Sequence, residues 1–344
     1  MKLSSLIISL TLLATLSTGA GAQTSPPQLP TPPQPTAPPE HNDEQKALGH
    51  DAEEHAVERT AAAETDVAVT LCLASGSVVV RGWDRREVRA RSTEAEKIEL
   101  TGGAAGQAAK RVEVLVSNDE QAELSSGDCG GTGSIELDVP RGATVNLQLR
   151  EGDVEISDVA EARVESLNGD VDAQRVSKGV EISCMSGDIS LLDSSGRARL
   201  RSISGSVEAT NVRTVEAGDD FSAVSTSGDV TLERIAHSQV KGATISGRVS
   251  MSGPLARGGS YEFKTTSGDV ILELPANSSF NINARVVASG EIVTDFPVKM
   301  NAAPAATPPN VKEAHQTRLS GTVGAGDADI TLTTFSGTVH LKKQ

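Results

Sequence analysis

Five aspartates each follow a glycine in a recurring phrase: Asp153, Asp170, Asp188, Asp229 and Asp269. If the chain coils once per phrase, these carboxylates stack into a line of oxygens. Such a line suits Ca²⁺, which takes roughly six to eight oxygen ligands at about 2.3–2.6 Å. Other copies of the phrase, however, put Ser206, Arg248, Glu291 and Thr338 in the same slot. The Ca²⁺-binding repeat G-G-x-G-x-D does not occur either. A short acidic side chain beside glycine also bonds nearby backbone in turns. Turn formation is the expected role, and no metal site or cofactor is expected.

Other chemistry finds fewer residues. Glycoside hydrolysis needs two carboxylates set across a cleft, and no acidic cluster stands out from the repeat. Three of the six histidines, His41, His50 and His55, precede the repeats, while His237, His315 and His340 lie far apart. That spacing points to neither zinc nor acid–base work. The stretch Gly102-Gly103-Ala104-Ala105-Gly106 lacks a following Lys-Ser/Thr and reads as a loop, not a phosphate cradle. Sugar platforms are usually aromatic, and aromatic residues are only 2% of this chain. No catalytic residue is assigned. Of three cysteines, Cys184 occupies a slot that is small and polar in other repeats, so an inward, inert thiol is expected. Cys72 and Cys129 remain as the natural disulfide pair in an oxidising compartment.

The elements that must position these residues are set by the glycines. They are Gly76, Gly152, Gly169, Gly187, Gly205, Gly228, Gly247, Gly268, Gly290 and Gly337, each followed two residues later by Val or Ile. From Gly152 to Gly290 the steps are 17, 18, 18, 23, 19, 21 and 22 residues. Apolar side chains alternate on both sides: Val154 and Ile156, Val171 and Ala173, Ile189 and Leu191 downstream; Val164 and Ala162, Ile182 and Val180, Phe263 and Tyr261 upstream. Alternation by two is strand periodicity. Position −3 is small and polar: Ser166, Cys184, Ser202, Ser225, Thr244, Thr265, Thr334. Each unit reads as strand, glycine corner, strand, and none can bury its apolar face alone. The constant phase predicts an all-β, single-stranded parallel β-solenoid with coils of about 17–23 residues and unassigned handedness. A meander of antiparallel hairpins is the alternative. The 23-residue step at Gly228, and Arg285 in an inward slot before Gly290, predict bulges or loops there.

The N-terminus carries Lys2, an apolar run from Leu6 to Leu16 and Ala20-Gly21-Ala22. That pattern predicts a signal peptide over 1–22, cleaved after Ala22, hence an exported protein that is periplasmic, at the cell surface or extracellular. No later stretch approaches the length of a transmembrane helix. Residues 23–65 read as a Pro-rich, then acidic and Ala-rich, disordered tether. The solenoid is expected over 66–344, irregular to 140 and regular from 141, with a Pro-rich loop near 297–316. The net charge of −15 opposes nucleic acid and anionic membranes, which need basic patches. The basic cluster Arg81, Arg85, Arg86, Arg89 and Arg91 around Trp83 is expected to be solvated charge beside a strand.

These repeats resemble a bacterial family of exported proteins of unknown function, described as candidate adhesins and built from SGDV-type strands. The resemblance covers about residues 66 to 344. It includes Ser75-Gly76-Ser77-Val78 with Gly82-Trp83-Asp84, Leu137-Asp138-Val139-Pro140, and Gly324-Ala325-Gly326-Asp327 through Ser336-Gly337-Thr338-Val339. It implies a β-helical domain at the cell envelope and brings no established activity. The expected function is a non-enzymatic adhesin or structural scaffold of the envelope, with an envelope protein or a glycan as partner. An envelope-stress accessory protein binding a membrane partner, and a carbohydrate-active enzyme, are the alternatives. The coil around Gly337, near Lys342 and Lys343, is expected to form an exposed edge open to edge-to-edge association.

Overall fold

Alternating apolar residues give each segment one face that must be covered, and the chain covers it by coiling. The computed structural model describes residues 56–103, 107–121, 123–127, 129–300 and 316–344. The signal-peptide and Pro-rich expectations, and most of the proline loop, lie outside the described residues. The described residues form 26 strands, mostly parallel, in one unclosed β-structure without a helix. The architecture is a β-solenoid.

Each regular coil runs a longer strand, a glycine corner and a shorter strand. Glu161–Asn168 pairs in parallel with Thr144–Glu151 on one side and Gly179–Ser186 on the other. Across the corner, Val171–Gln174 lies between Val154–Ser157 and Ile189–Leu192. The register continues coil by coil, so Val154, Val171, Ile189, Val207, Val230, Val249 and Val270 form one buried column. The inward residues of both faces belong to a single hydrophobic core.

The corner demands glycine for a reason stricter than turn propensity. A methyl group on Gly169, Gly187 or Gly205 would stand 2.1, 2.0 or 2.1 Å from the carbonyl oxygen of the corner glycine in the coil before. The coils approach through bare backbone. The opposite corner is built from residues with positive φ: Asp158, Arg175, Asp193, Asn211 and Arg234. Left-handed backbone at Arg175 costs about 1–2 kcal/mol. Its fork to Asp158, at 3.0 and 2.7 Å, offsets part of that.

At its two ends the stack departs from chain order. Val78–Trp83 lies between Ile135–Pro140 and Val154–Ser157. Val339–Lys343 lies between Val270–Leu274 and Ile292–Thr294. The expected exposed edge at the Gly337 coil is therefore wrong; that coil is interior, because Gly290 and its strand pack on its far side. Antiparallel strands flank both ends. Glu87–Ser92 pairs with Ile135–Pro140, and Lys97–Thr101 with Ala109–Ser117. Thr317–Val323 pairs with Phe280–Ser289 and with Lys299–Met300.

Two further differences, and one irregularity that was expected, have local causes. The first strand runs Val57–Ser75, so it begins inside the segment expected to be tether. Its Ala-rich start has little strand propensity of its own, and Glu87–Ser92 supplies the ladder it lacks. Gly133 heads the glycine column, with its carbonyl 2.0 Å from a methyl on Gly76. Before Gly290 a register shift between Val286 and Ser289 turns Ala284 and Val286 inward instead of Arg285. That bulge sits where Arg285 signalled one.

Candidate functional site

Position −2, the residue beside each corner, points outward because it alternates with the buried −3 slot. The pairings Ser166↔Cys184↔Ser202 and Asn168↔Ser186↔Ser204 set Leu167, Met185 and Ile203 side by side across three coils. Bridges Ser204↔Ser227↔Ser246↔Ser267 and the pair Ser267↔Ser336 carry the column on through Thr226, Ile245, Thr266 and Phe335. Leu167, Met185, Ile203, Ile245 and Phe335 are between 44% and 55% exposed, and they make up much of the large apolar surface that the described residues show to solvent. Single exposed apolar residues are ordinary; five aligned in one column, three of them on successive coils and the others spaced by Thr226 and Thr266, mark an interaction surface. The sequence signal was present as the 18-residue spacing of Leu167, Met185 and Ile203. Reading only the inward slots overlooked it.

One column further out stand Gln148, Glu165, Ser183 and Arg201, with Cys72 and Cys129 closing one end of a shallow groove of about 580 Å³. The next columns carry charge already paired across strands: Arg163 with Glu181 at 2.6 Å, and Asp220 with Arg197 at 2.7 Å and Arg199 at 3.4 Å. Glu165 and Arg201 have no ion-pair partner among the described residues. An aliphatic ladder flanked by two unpaired, opposite charges can dock a partner. It offers no activated nucleophile.

The residues singled out in the sequence fall as follows. Each corner aspartate accepts the backbone N–H of the residue one coil on: Asp153 from Asp170 at 2.9 Å, Asp170 from Asp188 at 2.8 Å and Asp188 from Ser206 at 2.6 Å. Asp229 and Asp269 do the same for Arg248 and Thr338 at 2.7 and 2.8 Å. Their oxygens bind the stack together. Among the described residues there is no group of three or more His, Cys, Asp or Glu placed to hold a metal ion. The ten predicted corner glycines all have positive φ.

Cys72 and Cys129 are joined as a disulfide, with Cα atoms 4.7 Å apart. Cys184 is buried, and burial pushes its thiol up to about 11, which leaves it a poor nucleophile. His237 is fully buried, 2.9 Å from the Gly196 carbonyl through Nε2, and desolvation holds its pKa below the usual value. Of the carboxylates, Asp158 is held low by the Arg175 fork and Asp219 by backbone N–H groups of Glu216 and Val215. Both act as acceptors within the framework. Three of the five arginines are spent locally: Arg89 bonds Asp138 at 2.9 and 2.6 Å, Arg91 pairs with Glu136, and Arg85 and Arg89 face the Trp83 ring at 4.9 and 5.0 Å, while Arg81 and Arg86 stand exposed.

A family model described as Toastrack DUF4097 matches residues 83–342. No curated protein matches the chain. Among solved structures, similarity extends to a candidate adhesin from Bacteroides fragilis at 12% identity and TM-score 0.37, covering 84% of this chain and 97% of that one. A candidate adhesin from Parabacteroides merdae matches at 7% identity and TM-score 0.29, covering 83% and 95%. A candidate cell adhesion protein from Clostridium sporogenes matches at 10% identity and TM-score 0.20, covering 84% and 100%. Superpositions this loose carry no functional assignment.

Proposed function

The chain belongs to the Toastrack DUF4097 family, and from that premise we propose that it is an exported, non-catalytic β-solenoid acting as an adhesive or scaffolding surface of the cell envelope. The observation that carries this reading is the exposed ladder Leu167, Met185, Ile203, Ile245 and Phe335 on one rigid face. Its aliphatic side chains suit a protein surface, since a sugar ring stacks best on an aromatic face and the ladder's sole aromatic is Phe335. Export is supported by Lys2, the apolar run Leu6 to Leu16 and Ala20-Gly21-Ala22. The Cys72–Cys129 bond, which persists in oxidising compartments, supports it too.

Retention on isolated cell envelopes tests the reading. Met185→Glu places a charge mid-ladder without touching the core. It is expected to lower retention about tenfold, the scale of one interface residue. Equal retention of the wild type and the variant would overturn the role given to this surface.

A further inference from the structure

The ladder has a symmetry that says what covers it. Centred on the Gly187 coil, Leu167 lies one coil to one side of Met185 and Ile203 one coil to the other. In the adjacent column Glu165 and Arg201 flank Ser183 in the same way, opposite in charge and both without an ion-pair partner among the described residues. A surface whose apolar centre is symmetric and whose flanking charges are antisymmetric complements a copy of itself turned by a two-fold axis. We propose that this face pairs two copies of the chain, antiparallel, about a dyad running along the strand through Met185. The inference rests on the reading of the ladder as a binding surface and names its partner.

In that arrangement Met185 meets the partner's Met185, and Leu167 meets the partner's Ile203. Glu165 meets the partner's Arg201, twice by symmetry. Beyond the centre, Gln148 falls opposite Val224 and the disulfide-linked Cys72 opposite Ala243, a small residue that leaves room for it. Two columns out, Arg163 comes opposite Arg199. Each is paired within its own copy, to Glu181 and to Asp220, but Asp220 also holds Arg197 and Glu181 faces the partner's Glu181, so each copy keeps one net positive charge here and the central Glu165–Arg201 pairs must outweigh it. Strands are spaced by about 4.8 Å, so an overlap of about nine coils is about 40 Å long. With eight-residue strands, each copy can offer up to about 1,000 Å², comparable to the roughly 800 Å² per partner of a standard interface.

The test is sedimentation of the purified full-length protein and its charge-reversed variants at micromolar concentration. The wild type is expected at twice the chain mass. Glu165→Arg alone and Arg201→Glu alone are each expected to weaken association at least tenfold and run as monomers, with unchanged circular dichroism. Mixing the two single variants restores every facing pair as opposite charges, so a heterodimer is expected, and the double variant is expected to dimerise alone. A monomeric wild type would overturn the inference. So would single variants that stay dimeric, or single variants that dissociate yet fail to associate when mixed. Envelope retention is a separate readout: a monomeric wild type that still needs Met185 for retention sinks the pairing and spares the proposed function. Loss of both sinks both.

Discussion

A methyl group on Gly187 would sit 2.0 Å from the Gly169 carbonyl oxygen, at a φ of +147°. Both faults act together, since neither a rotamer change nor a flexible neighbour relieves contact with backbone. Gly187→Ala is expected to cost about 3 kcal/mol or more in chemical denaturation. Gly179 offers the contrast: its methyl would meet nothing nearer than the Arg197 carbonyl at 3.4 Å, and its φ is not positive. Gly179→Ala is expected to hold stability or raise it by up to about 1 kcal/mol. His237 gives a second prediction at this scale. Its folded pKa lies below the unfolded value, so as pH falls past about 6.5 the unfolded chain binds a proton that the core refuses. Stability is then expected to drop between about pH 7 and 5 by up to about 1.4 kcal/mol per unit, and to be level above that range. The shifted carboxylates Asp158 and Asp219, both held low, contribute only at more acidic pH. Thermal melts across that range should show the slope in the wild type and lose most of it in His237→Gln.

The coils are joined by more than their main-chain ladders. Ser202, Ser225, Thr244, Thr265 and Thr334 donate their hydroxyls to the carbonyls of Gly187, Gly205, Gly228, Gly247 and Gly268, one coil back, at 2.8 to 3.0 Å. Thr265→Val keeps the shape and strands the Gly247 carbonyl, so a loss of about 1–3 kcal/mol is expected. Cys184 fills the same slot with a weak donor. Cys184→Ser is expected to supply the missing bond to Gly169 and add about 1 kcal/mol, read from the same denaturation curves. These slots were legible in the sequence because inward side chains repeat in type: the Val and Ile column, the −3 hydroxyls and the corner glycines all share one phase. Ladder residue Met185 sits at the same period, but an outward slot tolerates Thr226 and Arg150 as well as Leu167, so its pattern is thinner. The Ala-rich start of the first strand was illegible for another reason. Its conformation is imposed by Glu87–Ser92, which lies far along the chain.

At the scale of the whole stack, a coil is a unit that can be removed. Deleting Gly187 to Ser204 joins Ser186 to Gly205 in the register that Ser204 had, so Val171 meets Val207 where it had met Ile189. A cooperative fold with a melting point within about 5 °C of the wild type is expected by circular dichroism, since each coil contacts only its neighbours. Deleting residues 316–344 removes less than twice as much chain, yet it takes out the layer between Val270–Leu274 and Ile292–Thr294. That variant is expected to be protease-sensitive beyond Leu274. The order of layers could not be read from the period, because in-phase coils are interchangeable: Val339 presents to Val270 the same small branched side chain that Val207 presents to Ile189. The interleaving has a consequence for how the stack closes. The strand Ile292–Thr294 precedes in sequence the layer it rests on, so it has no parallel partner in the stack until Val339–Lys343 is in place. Val339–Lys343 is a keystone that follows both of its neighbours along the chain.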